Sequence, residues 1–313
     1  MSTILSRILS WLYPKPDRIS LIGQPSVEEH INLLLETLHA GEMPGHILFY
    51  GPPGLGKTKT AESIAGALRV PFYAIIGSVT SARQLAQFLL KRPRRCILFI
   101  DEIHSLDKEA GELLYPFMEA RQGLMVIGAT TDIWIVPKPL LSRFTHQIRF
   151  DYYNIAGLMQ IVFVLSEKHK IPIEEKAAEY LASRARGTPR IARNLVEIAV
   201  KFAKKEKSKH ISLDHALQTC KLLNVGEDGL DGQDIRLLEH LNMAQKPVGV
   251  QALAASIGES EKQLIAVREP WLLYRGYITR TSRGRCITPK GEEYLRKRGM
   301  QDERAAGDSA LST

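Results

Sequence analysis

The stretch HILFYGPPGLGKT, His46 to Thr58, decides how this chain is read. Its first five residues, His46 to Tyr50, form a short apolar run suited to one buried strand of a sheet. The eight residues from Gly51 to Thr58 match the pattern G-x-x-x-x-G-K-[ST] in full. Glycines at 51, 54 and 56 let main-chain N–H groups turn towards phosphate oxygens, and the helix that follows, Lys59 to Arg69, offers the positive end of its dipole. In such a loop Lys57 neutralises the β- and γ-phosphates of a nucleotide, and the Thr58 hydroxyl ligates Mg²⁺. Gly51, Pro52, Gly54, Leu55, Gly56, Lys57, Thr58 and Lys59 are the expected nucleotide contacts. A chance loop of this composition would not be framed by a strand and a helix.

Downstream, the pattern repeats strand and helix. Pro71 to Ile76 reads as a strand, Leu85 to Leu90 as a helix, and Cys96 to Ile100 (CILFI) as a continuous apolar strand. Leu124 to Ala129 (LMVIGA) and Gln147 to Phe150 complete the set. Alternation of this kind predicts an α/β domain whose parallel sheet is covered on both faces. Asp101 and Glu102 directly follow the CILFI strand, at the end where such sheets bind ligands. Asp101 is placed to hold Mg²⁺, and Glu102 to orient and polarise an attacking water. The segment GATT, Gly128 to Thr131, ends the neighbouring strand, so Thr131 (or Thr130) is a candidate γ-phosphate sensor. Arg143, in LLSRF, could reach the nucleotide of an adjacent subunit and stabilise transition-state charge. Arg190, in RGTPRIARN, opens a helix from which it could contact the same phosphates.

These segments together resemble the RuvB family of AAA+ motors: GHILFYGPPGLGKT, LFIDEIHSL, IGATT, RGTPRIARN and the terminal RTSRGR, with LIGQ at Leu21 to Gln24 ahead of the loop. The similarity runs from about Asp17 to Gly299. It implies an AAA+ P-loop domain with a small helical lid and a C-terminal winged helix, ATP and Mg²⁺ as cofactors, and a hexameric ring of like subunits on duplex or branched DNA. It also implies that Arg18, Ile19, Ile22 and Gly23 line the adenine pocket, that Arg143 acts in trans, and that Arg190 is the second sensor. The chain departs from the family in three places. Glu119 is followed by ARQG and then at once by the GATT strand, leaving no room for the hairpin of roughly twenty residues that docks RuvA in the family. A two-residue turn cannot present the apolar surface that docking needs, which argues against dependence on a RuvA-like partner. Asp132 stands where the family has arginine, and Ser142-Arg143-Phe144-Thr145 replaces DRFG.

The expected organisation is residues 1–16 as an amphipathic extension, 17–153 as the ATPase domain, 154–226 as the helical lid, 227–300 as the winged helix and 301–313 as a disordered polar tail. Gly226 to Gly232 (GEDGLDG) reads as a hinge between the last two domains. From Arg275 to Arg298 there are eight Lys and Arg against two acids, much of the chain's net charge of +8. Within YITRTSRGRCIT, Arg283 and Arg285 are expected at a wing tip closed by Gly284, with Arg280 nearby, all suited to DNA phosphates. Over 313 residues, 44% hydrophobic content supports real cores, and no apolar run reaches the ~20 residues of a membrane span. Ile4, Leu5, Ile8, Leu9 and Leu12 fall at helical spacing, but with Arg7 as their one interspersed cation they argue for protein packing over a lipid surface. Three scattered cysteines fit a reducing, cytoplasmic interior. Two other functions stay open on these residues: an ATP-controlled loader that places a partner on DNA without translocating, and a protein-binding regulatory ATPase of a mobile element or defence system.

Overall fold

The computed structural model describes residues 16–38, 42–120 and 123–310. The amphipathic extension expected at the N-terminus lies outside the described residues but for Pro16. The chain separates into two units: one runs to Lys170 and includes Gly187–Asn194, and the other comprises Ile171–Arg186 and the residues from Leu195 on.

The first unit is built on five parallel strands, β1 (Ile47–Tyr50), β2 (Phe72–Ile76), β3 (Cys96–Asp101), β4 (Leu124–Thr130) and β5 (His146–Arg149), in the order β2-β3-β4-β1-β5. Alternate side chains enter different layers. Phe49, Ile97, Phe99 and Ile127 meet α1 (Pro25–Glu36) and α2 (Lys57–Leu68), while Leu48, Leu98, Ile100 and Val126 meet α3 (Ala82–Lys91) and α4 (Lys108–Ala120). Burial on both faces explains why β3 and β4 read as unbroken apolar runs. Two further helices, α5 (Lys138–Leu141) and α6 (Ile155–Lys168), complete the unit. The register pairs Tyr50 with Thr130 and Ile76 with Asp101, so the ends of β1, β3 and β4 lie level at one edge of the sheet. That edge is where the phosphate loop emerges.

Between α4 and β4, Gly123 has φ 71°, and a Cβ there would lie 2.2 Å from the Arg94 carbonyl oxygen. Gly123 is therefore pressed against the residues that lead into β3. Arg121 and Gln122 lie outside the described residues.

In the second unit, α7 (Glu175–Ser183), α9 (Leu213–Leu222) and the greater part of α8 (Pro189–Lys205) precede α10 (Gly232–Ala244) and α11 (Val250–Ile257). Then α12 (Glu261–Gln263), a π-helical turn (Leu264–Arg268) and α13 (Glu269–Tyr274) lead to a hairpin, β6 (Ile278–Thr281) and β7 (Gly284–Ile287), and to α14 (Pro289–Ala310). Val248 bridges to Arg285 as a third, one-residue strand.

Two expectations need correction here. The GEDGLDG stretch is not a free hinge. Asp228 takes hydrogen bonds from the Trp271 indole on its carbonyl (2.8 Å) and from Arg275 (2.5 Å) and Tyr277 on its carboxylate. Arg186 donates to the Gly229 carbonyl at 2.7 Å and pairs with Asp234, which Arg268 also reaches. Glycine and aspartate signal a turn, but the partners that fasten it come from distant helices. Nor does a disordered tail begin at Gln301, since α14 continues to Ala310. In the run QDERAA every residue but Asp302 is a good helix former. Among the described residues, no helix is long and apolar enough to cross a membrane.

Candidate functional site

The phosphate loop owes its shape to three glycines at positive φ: 129° at Gly51, 81° at Gly54 and 96° at Gly56. At Gly51 a Cβ would fall 2.3 Å from the Phe150 carbonyl oxygen, so no side chain fits. Gly56 then caps α2, and Lys57 is its first residue. The lysine is buried, and its ammonium donates to the carbonyls of Gly51 (2.6 Å) and Pro52 (2.9 Å). Burial lowers its pKa to about 8; Asp101 opposes that shift and Arg190 adds to it. The group is thus poised to gain from a polyanion.

Around it lies a cavity of ≈ 320 Å³ lined by Pro53 to Lys59, Asp101, Glu102, Thr130, Thr131, Pro189, Arg190 and Arg193. Glu102 sits in the left-handed region (φ 49°, ψ 48°), and its N–H donates to the Asp101 carboxylate at 3.0 Å. A non-glycine residue in that conformation costs on the order of 1 kcal/mol or more, and Glu102 is exposed and lines the cavity. The two threonines differ. Thr130 is buried and its hydroxyl is engaged: it donates to the Asp132 carbonyl (2.9 Å), accepts the Asp132 N–H (3.2 Å) and lies 2.9 Å from His104 Nδ1. Thr131 is exposed to the cavity. Thr58 and Asp101 both contribute hard oxygen donors to this cavity, a set that suits Mg²⁺ carrying waters and substrate phosphates. Among the described residues no cluster of three or more His, Cys, Asp or Glu could hold a metal by itself.

The expected base pocket is only partly assembled. Arg18 and Gly23 line a cleft of ≈ 570 Å³ together with Glu28, Asn154 and Gln160. Arg18 is ion-paired with Glu36 at 3.1 Å. Ile22 is part-exposed beside Gly23, in the turn that precedes α1. Ile19 departs from expectation: its side chain belongs to the core, and Asn32 holds both its N–H (2.8 Å) and its carbonyl (2.9 Å). A branched apolar residue beside a buried amide gains more from the core than from a ligand. Tyr153, which no motif singles out, takes a central place. Its ring lies where a Cβ on Gly23 would be (2.5 Å), and its hydroxyl donates to the Leu55 carbonyl at 3.2 Å. Arg193 was equally silent, although its spacing of three from Arg190 on α8 puts both on one helix face.

Arg143 lies apart from the cavity of its own chain. It follows α5, donates to the Pro139 carbonyl (2.5 Å) and to Glu119 (2.5 Å), and stacks 4.1 Å from the Tyr115 ring centroid.

The wing corrects a further expectation. Arg283 is at the tip, exposed, with its N–H on the Thr281 hydroxyl. Arg285 is not. It pairs across the hairpin with Arg280, and both guanidiniums hold the carboxylate of Glu269. Glu269 is 0% exposed, Arg285 14% and Arg280 50%. Gly284 has φ 142°, and a Cβ would meet the Val248 carbonyl oxygen at 2.3 Å, so strand 248 presses on the hairpin where the turn ends.

Family models match this chain along almost all the described length: the AAA ATPase family (associated with various cellular activities) over residues 47–152, the RuvB AAA lid domain over 153–226, and the RuvB C-terminal winged helix domain over 227–296. The Holliday junction branch migration complex subunit RuvB of Thermotoga maritima is 35% identical, with 94% of this chain and 95% of that protein aligned. The chain belongs to the RuvB family. The RuvB of Myxococcus xanthus is 36% identical over 88% of this chain and 87% of its own. A solved structure, the Thermotoga maritima RuvB Holliday junction branch migration motor, superposes with a TM-score of 0.82 at 38% identity, covering 91% of this chain and 98% of that one. As a RuvB-family member the chain carries an AAA ATPase domain, a RuvB lid and a RuvB winged helix. Within that frame it joins α4 to β4 through residues 121–123 alone and sets Asp132, Trp134 and Ile135 after the GATT strand.

Proposed function

We propose that this chain is an ATP-driven motor acting on duplex or branched DNA, of the kind that migrates Holliday junctions. One observation carries the reading: a buried lysine loop faces a carboxylate-tipped strand across one cavity, in a chain that also carries a RuvB winged helix. Lys57 would take the β- and γ-phosphates, gaining back the proton affinity that burial removes. Thr58 and Asp101 would hold Mg²⁺, which when bound neutralises charge on the phosphates. Glu102, exposed in the lining of the cavity, would orient the attacking water, and Thr131 would sense the γ-phosphate. Arg190 would act from the lid with Arg193 beside it. The base would lie against Gly23 and Ile22, near Arg18 and Tyr153.

Other copies of the chain, in a hexameric ring, are the partners this reading requires. Arg143 would serve a neighbour's nucleotide, its direction fixed by Tyr115 and Glu119. Arg283, with Arg280 beside it, would meet DNA phosphates. The proposed domains are 17–153, 154–226 and 227–300, in a cytoplasmic protein. Because residues 121–123 leave no docking hairpin, a RuvA-like partner is not required by this reading.

The test is the ATPase rate with and without duplex, forked and four-way DNA. Stimulation by one of them is expected, with Glu102→Gln abolishing turnover while keeping ATP binding and Lys57→Ala abolishing binding. A rate indifferent to every DNA would overturn the motor. The missing hairpin favours a second reading, a loader that hydrolyses ATP without moving DNA. Junction migration by the chain alone would exclude it.

A further inference from the structure

Trp134 is 91% exposed and Ile135 51%, although a tryptophan is among the side chains most often covered in a folded protein. The exposure is built rather than incidental. Asp132 accepts the Trp134 N–H at 2.9 Å, and the Val136 N–H donates to the Ile133 carbonyl at 3.3 Å. Val136 is buried, and Ile133 packs against the same core as β3 and β4. The Thr130 hydroxyl fastens Asp132 from both sides. A short 3₁₀ turn, tied down at each end, therefore holds an indole and a sec-butyl group out into solvent. Such pre-organised aromatic anchors lose little freedom on binding.

We infer that Trp134 and Ile135 form the apolar anchor by which one copy of this chain seats against the next. The inference rests on the proposed trans role of Arg143. Residues 132–143 are one continuous segment: the turn, Pro137, α5 and then Arg143. If Arg143 reaches a neighbour's nucleotide, this segment lies against that neighbour, and the anchor is carried into the same interface. The composition agrees. Ile133 to Val136 is uncharged, with Asp132 before it and no cation until Lys138, which is the wrong character for DNA phosphates or for an anionic lipid surface. Asp132, which caps the turn, directly follows Thr131 on the rim of the nucleotide cavity, so Trp134 lies three residues from the group that would sense ATP.

The test uses full-length Trp134→Ala, with Trp134→Phe and Arg143→Ala beside it. Mass photometry across protein concentration with Mg²⁺ and ATP, in the Glu102→Gln background, reads assembly. Steady-state ATPase in the otherwise unaltered chain, across the same range, reads function. Trp134→Ala should raise the concentration for half-maximal assembly about 10- to 100-fold, the loss expected for an aromatic hot spot. Its thermal midpoint should not change, its ATPase per subunit should recover at high concentration, and Trp134→Phe should restore most of the deficit. Arg143→Ala should assemble as the unaltered chain does and fail to turn over. An unchanged assembly midpoint in Trp134→Ala overturns the inference, as does loss of DNA binding with assembly intact. If the unaltered chain stays monomeric with an ATPase rate indifferent to concentration, the ring reading falls, and the inference falls with it.

Discussion

Replacing Arg285 should destabilise the wing more than it weakens the grip on DNA, whereas replacing Arg283 should weaken that grip and leave stability almost unchanged. Glu269 is completely buried and carries two guanidiniums, Arg285 at 14% exposure and Arg280 at 50%. Taking away one partner of a buried ion pair costs about 3–5 kcal/mol, because the remaining charge is left uncompensated in the interior. Here Arg280 stays in place, donating from Nε at 3.0 Å, which brings the expected loss for Arg285→Ala to about 2–3 kcal/mol. With a urea dependence of about 1–3 kcal/mol per molar, the midpoint should drop by roughly 1 M or more. Arg283 touches nothing comparable, so Arg283→Ala should stay within about 0.5 kcal/mol. If it meets one phosphate, its loss should lower the slope of log affinity against log salt by about 0.9. Urea denaturation followed at Trp271, which is buried in this unit, measures the first quantity. Fluorescence anisotropy with a labelled four-way junction over a salt series measures the second. Should Arg285→Ala melt like the unaltered protein while flattening the salt slope as much as Arg283→Ala does, the clamp on Glu269 would be the wrong account of the wing.

ATP affinity should fall as pH rises above about 8. Lys57 titrates near 8 in the folded chain against 10.5 when exposed, so between those values the unfolded chain binds more protons and stability rises with pH; below 8 the burial cost is present in full. A bound triphosphate restores the charge, so binding should take up close to one proton at pH 9, and Kd should rise about tenfold from pH 7 to 9. Calorimetry in buffers of different ionisation enthalpy checks both, and a flat Kd without proton uptake would contradict them. Gly23→Ala should raise the KM for ATP roughly tenfold while moving kcat much less. The new methyl sits 2.5 Å from the Tyr153 ring at φ 69°, a strained placement costing on the order of 1–3 kcal/mol; steady-state kinetics would show the split.

What could be read from the residues was local. The phosphate loop, the CILFI strand with its carboxylates and the GATT strand end each announce themselves within a few positions, because strand burial and loop backbone are set by adjacent side chains. The observed strands accordingly fall within a residue or two of the runs read from sequence. What could not be read depended on partners far along the chain. Thr130 and Thr131 are indistinguishable as letters, and only His104 and Asp132 show which hydroxyl is already engaged. Ile19 looks available for a base until Asn32 is seen to hold its backbone. GEDGLDG has the composition of a hinge, and Trp271, Arg275, Tyr277 and Arg186 make it a fixed joint.

The same distinction bears on how strongly the wing should hold DNA. Counted along the sequence, residues 275–298 carry eight cations against two acids. Yet Arg275 answers Asp228, while Arg280 and Arg285 share Glu269, and both of those carboxylates lie outside the counted stretch. Lys297 answers Glu293 within it. A phosphate approaching this face therefore meets fewer uncommitted cations than the count suggests, and a guanidinium locked on a buried carboxylate cannot leave it without exposing that charge to the interior. Counterion release should reflect the side chains that remain outward, Arg283 foremost, so one subunit should show a salt slope of only a few phosphates. If the chain forms the proposed ring, tight binding would come from several subunits engaging one duplex together, and the ring rather than the wing alone would be the unit that grips.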